Sequence, residues 1–153
     1  MATWQQMSDS APEFTARVRE LLEARVHKTI ATLRADGSPR ISGIETFFAD
    51  GELYIGSMPN ARKALDLRRE PRYALHSGSI DPPEWPGDAK LSGRAEEITD
   101  PEQRAAAAFK GGADAHLFRL DIDEAVLVGL NDQRSKLIVE LWRPGAELKR
   151  IER

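Results

Sequence analysis

The residues of this chain with the clearest chemical potential run together as Ser57-Met58-Pro59-Asn60-Ala61-Arg62-Lys63-Ala64. Asn60 is a suitable N-cap, so the spacing predicts a helix over Ala61 to Arg69, which Pro71 prevents from continuing. Arg62 and Lys63 then fall in the first turn, where the free backbone amides already concentrate about half a positive charge and a cation is disfavoured by a few tenths of a kcal/mol. An anion reverses that penalty. A phosphate at the helix start would receive open amides, the Ser57 hydroxyl and two cationic side chains together. Taken alone, the pair also reads as ordinary solvated surface charge; the strand-to-helix setting favours the anion site.

Several elements must position this segment. Ser10-Ala11-Pro12-Glu13 reads as a capping box opening a helix from about Ala11 to Arg25, with Phe14, Val18, Leu21 and Leu22 on one face. Strands over Lys28 to Ala35 and Arg40 to Ala49 flank the turn sequence Asp36-Gly37-Ser38-Pro39, and Asp50-Gly51 leads into Glu52 to Ser57. After the candidate helix come a strand from Arg72 to Gly78, an irregular loop holding Pro82, Pro83, Trp85 and Pro86, and a strand from Ala89 to Ile98. Asp100-Pro101-Glu102-Gln103 opens a short alanine-rich helix that ends near Gly111-Gly112. His116 to Ile122, Ala125 to Leu130, Lys136 to Arg143 and Ala146 to Glu152 complete the set. About eight strands joined by tight turns, with three short helices, predict a mainly β, antiparallel barrel. In two strands neither face is clearly wet: Ile41, Gly43 and Phe47 alternate with Ile44 and Phe48, and Leu137, Val139 and Leu141 alternate with Ile138 and Trp142. Their outer faces need a cover, a helix or a second subunit, and three short helices are too few for a whole barrel. A homodimer is the expectation.

Composition bounds the function. The chain has 153 residues, a formal charge of −3 and no cysteine, which fits one domain spanning residues 1–153 and excludes disulfides, thiolate metal sites and a cysteine nucleophile. Mild acidity and ten aromatics argue against a nucleic-acid binder. No segment approaches the roughly 20 apolar residues of a membrane span, so a cytoplasmic protein is expected. His27, His76 and His116 lack metal-ligand spacing and read as structural histidines; no metal site is expected. Hydrolase elbows, Gly-x-Gly-x-x-Gly and Walker sequences do not occur.

The paired hairpin turns, the run Asp50-Gly51-Glu52-Leu53-Tyr54-Ile55 and the stretch Asn60-Ala61-Arg62-Lys63-Ala64-Leu65-Asp66-Leu67-Arg68-Arg69-Glu70-Pro71-Arg72 resemble the pyridoxamine 5'-phosphate oxidase-like family of flavin-binding split β-barrels. The resemblance covers about Phe14 to Ile98. It implies a homodimer with FMN in a groove between subunits, Arg62 and Lys63 gripping the phosphate, Ser57 beside it, and the strand Arg40, Ile41, Ser42, Gly43, Ile44 passing under the ring system. His76, on the strand after the phosphate helix, is a further candidate to face the cofactor. Ser42 and Phe47 stand where the biosynthetic oxidase carries an arginine and a lysine, and the oxidase's C-terminal arginine-and-histidine substrate motif does not occur. Pyridoxine phosphate oxidation is therefore not implied. Leu67-Arg68-Arg69-Glu70-Pro71-Arg72 is similar to a branch of the superfamily that uses the deazaflavin coenzyme F420, whose glutamate tail needs extra cations. From Arg62 to Arg72 the local charge is +3, enough for such a tail, although Arg68 and Arg69 also read as surface partners of Glu70 and Asp66.

The expected activity is hydride transfer between FMN, or alternatively F420, and a small organic substrate entering beneath the Trp85 loop, with no catalytic acid or base assigned. The rival is a non-enzymatic flavin, F420 or haem carrier. Trp85 itself reads either as a flap or as a loop anchor, the commoner role.

Overall fold

The turn at Asp36-Gly37-Ser38 forms as its residues dictate. Gly37 adopts φ 84°, its amide donates to the Arg34 carbonyl, and the Ser38 amide donates to Asp36 Oδ1 at 2.9 Å. Gly51, at φ 75°, closes the second hairpin. The computed structural model describes residues 1–153. In chain order the elements are α1 (Trp4–Ser10), α2 (Pro12–Glu23), β1 (His27–Leu33), β2 (Pro39–Ala49), β3 (Glu52–Ser57), α3 (Arg62–Arg69), β4 (Arg72–His76), β5 (Asp88–Glu97), α4 (Pro101–Ala106), β6 (His116–Leu130), β7 (Leu137–Trp142) and β8 (Lys149–Glu152). All pairings are antiparallel, in the order β3-β2-β1-β4-β5-β6-β7-β8, and an additional β3–β6 ladder closes the first six strands into a barrel. The last two strands extend beyond it. No helix is long and apolar enough to cross a membrane.

The barrel interior is one apolar cluster, with Ile30, Ile44, Leu53, Leu75, Leu91 and Leu120 from the strands and Phe14, Val18 and Leu22 from α2. β6 is one continuous strand where the Asp121 to Glu124 stretch suggested a break between two. Register passes from Ser92↔Glu124 to Gly93↔Ile122, so Asp123 is an extra, bulged residue. That one residue restores parity: Phe118, Leu120 and Ile122 before it and Ala125 and Leu127 after it all reach the same core.

The N-terminal helices differ from the expectation. α1 opens with a capping box in which the Gln6 amide donates to Thr3 Oγ1 and the Thr3 amide to Gln6 Oε1, and it buries Trp4 and Met7. Ser10 does not cap α2. As the last residue of α1 it donates to the Met7 carbonyl and accepts from Trp142 Nε1, leaving Ala11 as an N-cap without a side-chain bond. Asp100 does cap α4, accepting from the Gln103 amide at 3.0 Å. That helix ends at Ala106, short of the glycine pair. The Trp85 loop is fastened: Trp85 Nε1 donates to Asp88 Oδ1 and Arg134 donates to the Pro83 carbonyl.

The covered strand faces have two different answers. Around Phe47 the cover is internal, because Phe109 stacks on it at 6.2 Å and Tyr54 at 5.5 Å, backed by Ala107, Leu117 and Ile98 in a second small cluster. Farther along β2 nothing in the chain covers the outer face. Ile41 is 74% exposed, and a Cβ placed on Gly43 would meet open space.

Gly93 is the tightest backbone approach: a Cβ there would lie 2.0 Å from the Asp121 carbonyl oxygen in the opposing strand. Gly93→Ala should destabilise the protein by about 2–3 kcal/mol, as overpacking does when backbone must give way. Gly43→Ala should leave the urea-unfolding midpoint unchanged or slightly raised, and comparing the two midpoints checks the pair.

Candidate functional site

Ser57 closes β3, and Met58 to Ala61 form the turn into α3. The Ala61 amide bonds the Met58 carbonyl at 3.1 Å, and Ala61 rather than Asn60 is the N-cap, its carbonyl accepting from Ala64 and Leu65. Asn60 adopts φ 59°, which turns the chain one residue too early for its side chain to cap; instead its amide donates to His116 Nε2 at 3.2 Å. The amides of Arg62 and Lys63 stay open, for no carbonyl in the fold accepts from them. Ser57 Oγ is buried without a hydrogen-bond partner, in a residue only 9% exposed. Such an orphan is uncommon, and each one calls for an explanation.

The cations of this region divide sharply. Arg68 binds Glu97 through two hydrogen bonds of 2.9 and 2.6 Å, Arg69 binds Asp66 at 3.1 Å, and Arg72 binds Glu70 at 2.9 Å. Arg62 and Lys63 enter no ion pair and donate to no internal carboxylate. Of five positive groups between Arg62 and Arg72, the two at the helix start are therefore the free ones. Arg68 was a candidate surface partner of Glu70 or Asp66; its actual partner lies on β5.

Behind the turn sits Asp66, 3% exposed, whose carboxylate accepts from Thr32 on β1, Arg40 on β2 and Arg69 on its own helix. Burial pushes this carboxyl up, but the bonds from Arg40, Thr32 and Arg69 outweigh burial and hold it below the usual range. At the other end of α3 the Arg68 hydrogen bonds, against some burial and with help from His116, hold Glu97 at about 2.

The remaining candidates separate by face. Arg40, Ser42 and Ile44 share the inward parity of β2, with Ile44 in the core and Arg40 engaged by Asp66, so these three offer backbone rather than side chain. Ile41 and Gly43 face outward. Gly43 and His76 both stand opposite Thr29, one on either side of β1, which puts them in one row of the outer face. His76 Nδ1 lies 2.6 Å from the Ser77 carbonyl and so carries the proton, and together with Ile41 it lines a shallow cavity of about 380 Å3. β3 pairs with β2 only from Thr46 to Ala49, while Gly56 and Ser57 pair with β6 instead. The sheet thus splits, leaving the β2 edge from Pro39 to Glu45 without a strand beside it. A cleft of about 630 Å3 lies along the split, walled by Phe47, Gly56, Ser57, Met58, Pro59 and Phe109. Trp85 is not among its walls. Phe109, His116 and Glu97 reach this region unannounced by any local motif.

A family model described as Pyridoxamine 5'-phosphate oxidase matches residues 14–129. Among solved structures, a heme binding protein from Mycobacterium smegmatis is similar at TM-score 0.63 and 18% identity, over 88% of this chain and 56% of that one. PhzG from Burkholderia lata 383, in complex with tetrahydrophenazine-1-carboxylic acid, is similar at TM-score 0.58 and 17% identity, over 94% and 87%. An F420 reductase is similar at TM-score 0.53 and 21% identity, over 70% and 94%. At these identities the likeness is one of fold. No curated protein matches the chain.

Asp66→Ala should cost about 3 kcal/mol, because it leaves the Arg40 guanidinium buried without its counter-charge. Asp66 and Glu97 both have folded values below the unfolded ones, so their stabilisation is present in full above the ordinary carboxylate range and is lost as pH falls toward 2. Urea unfolding at pH 6 and pH 3 should show that loss, and Glu97→Gln should make it smaller.

Proposed function

We propose that this chain, which belongs to the pyridoxamine 5'-phosphate oxidase family, binds a phosphate-bearing flavin or deazaflavin and acts as an oxidoreductase on a small organic substrate. One observation carries the reading. The buried, unpartnered Ser57 hydroxyl ends the strand that leads into a helix start with two open amides and two unpaired cations. Each group lacks what a phosphate provides, and together they match its charge and its several acceptor oxygens.

FMN is the first choice and coenzyme F420 the alternative. A glutamate tail beyond the phosphate would need further cations, and Arg68, Arg69 and Arg72 already hold Glu97, Asp66 and Glu70. Bound in this groove, either group supplies a ring that carries hydride. The chain's own part is to hold and orient it. Arg62 and Lys63 neutralise the phosphate, Ser57 donates its hydroxyl, and the strandless edge from Arg40 to Ile44 presents backbone N–H and C=O groups to the ring. Gly43, with no atom near its absent side chain, lets a flat molecule approach the strand.

The site is completed by a second copy of the chain. Ile41, Leu137 and Ile151 expose 74%, 41% and 42% of their surface, and a symmetric partner is the economical cover for such apolar positions.

Absorption titration of the purified protein tests the shared part of this reading; uptake of neither FMN nor F420 sinks it. Arg62→Ala with Lys63→Ala should weaken FMN binding at least about 100-fold, since charge-assisted bonds contribute about 1.5–3 kcal/mol each, and an unchanged affinity means that the phosphate lies elsewhere. Sedimentation should give a dimer. Reduction of the bound group by NADPH, or by a glucose-6-phosphate-dependent system for F420, followed by turnover of an acceptor, separates an enzyme from a carrier.

A further inference from the structure

The turn that opens the candidate phosphate site is held by a histidine from the neighbouring strand, 56 residues away in sequence. His116 begins β6 directly opposite Ser57 in the β3–β6 ladder and is 6% exposed. Its Nε2 is the acceptor for the Asn60 amide. A backbone amide only donates, so Nε2 carries a lone pair and the ring proton sits on Nδ1. There it donates to Glu97 Oε1 at 3.0 Å. Arg68 Nη2, 3.3 Å from the same Nδ1, is a second donor and shares the Glu97 carboxylate rather than the ring.

We infer that His116 is a positioning residue for the anion-binding turn, acting through the Asn60 amide, and that protonation of its ring releases that turn. The ligand part of this inference rests on the phosphate reading above; the tether itself rests on the geometry alone. Asn60 stands at φ 59°, in the left-handed region that asparagine enters more readily than other residues with a side chain, so its own type permits the turn while its amide still needs an acceptor. The His116 ring is the group that holds this amide. A proton added at Nε2 sets N–H against N–H, and the turn must then leave.

The charged groups around the ring are Glu97 from β5 and Arg68 from α3, and Arg104 from α4 bonds the carbonyls of Ile98, Gly112 and Ala115, the last being the residue before His116. Phe118 stacks on the ring at 6.2 Å, and Ser57 opposite is uncharged. Glu97 is fixed in place by Arg68, so on protonation the Nδ1 side stays paired while the Nε2 side loses its partner. The site therefore loosens from the turn and not from the sheet. Anion affinity should fall when the ring takes up that second proton.

Two measurements decide the matter. In ligand-free protein, the Asn60 amide resonance should follow the ring titration of His116, whereas in His116→Gln, whose amide oxygen accepts without titrating, it should stay flat. An Asn60 amide indifferent to the ring overturns the tether. For FMN, His116→Gln should bind within about threefold of the parent at pH 7.5, and His116→Phe about tenfold more weakly, the worth of one hydrogen bond. Across a descending pH series the parent should lose up to about tenfold more affinity than His116→Gln, the worth of the same hydrogen bond, a comparison that cancels the second ionisation of the phosphate itself near pH 6. Superimposed profiles overturn the inference. If the parent takes up no FMN or F420 at all, the phosphate reading fails by itself, and the Asn60 resonance still decides whether His116 holds the turn.

Discussion

The buried carboxylate of Asp66 is the fixture on which the rest depends. It gathers a hydroxyl from β1 and guanidinium groups from β2 and α3 onto two oxygens, in a position almost closed to water. Three elements are thereby locked at one point, and α3 cannot slide along the barrel without stranding a charge in the interior. The start of α3 inherits that fixity. Arg62 and Lys63 lie one turn from Asp66, so the placement of two unpaired cations is decided by a buried group one turn behind them. Arg40 completes the arrangement from β2, which couples the helix start to the strand on the other side of the groove.

The groove exists because of a choice of partners. β3 leaves β2 after four residue pairs and closes the barrel against β6. Closure satisfies the backbone of Gly56 and Ser57, frees the β2 edge and brings His116 behind the turn, all in one topological step. The bulge at Asp123 serves the same end farther along β6, since it lets one long strand pair with β3, β5 and β7 while keeping its apolar residues on the core side.

Much of this was legible in the sequence because it is written in local chemistry. The turn residues Asp36-Gly37 and Asp50-Gly51 and the alternation of β2 and β3 predict the hairpins, and the spacing from Ser57 to Arg69 predicts the strand-to-helix step that carries Arg62 and Lys63. Thr3 and Gln6 were equally legible as a capping box, although a helix of seven residues offers too little periodicity to draw attention. Ser10 and Asn60 misled for one reason. Each has a polar side chain suited to a cap, and in each case a tertiary partner, Trp142 for the one and His116 for the other, claims part of that residue. Nothing local marks His116, Glu97 or Phe109 as neighbours of the turn, because the contacts that bring them there join segments far apart in sequence. Whether Asp66 is a surface partner or a buried hub is likewise decided only when β1 and β2 close over it.

The helix that carries the site is electrically lopsided. Its last turn has arginines answered by carboxylates, while its first turn sets two unanswered cations against the positive end of the helix. That end is a standing repulsion, which a bound dianion would relieve. On the phosphate reading, ligand and fold would share one free energy, and the chain without its ligand would open, and meet proteases, more often. On the phosphate reading, the unequal charging of eight helical residues would by itself tie the stability of the chain to the supply of its ligand.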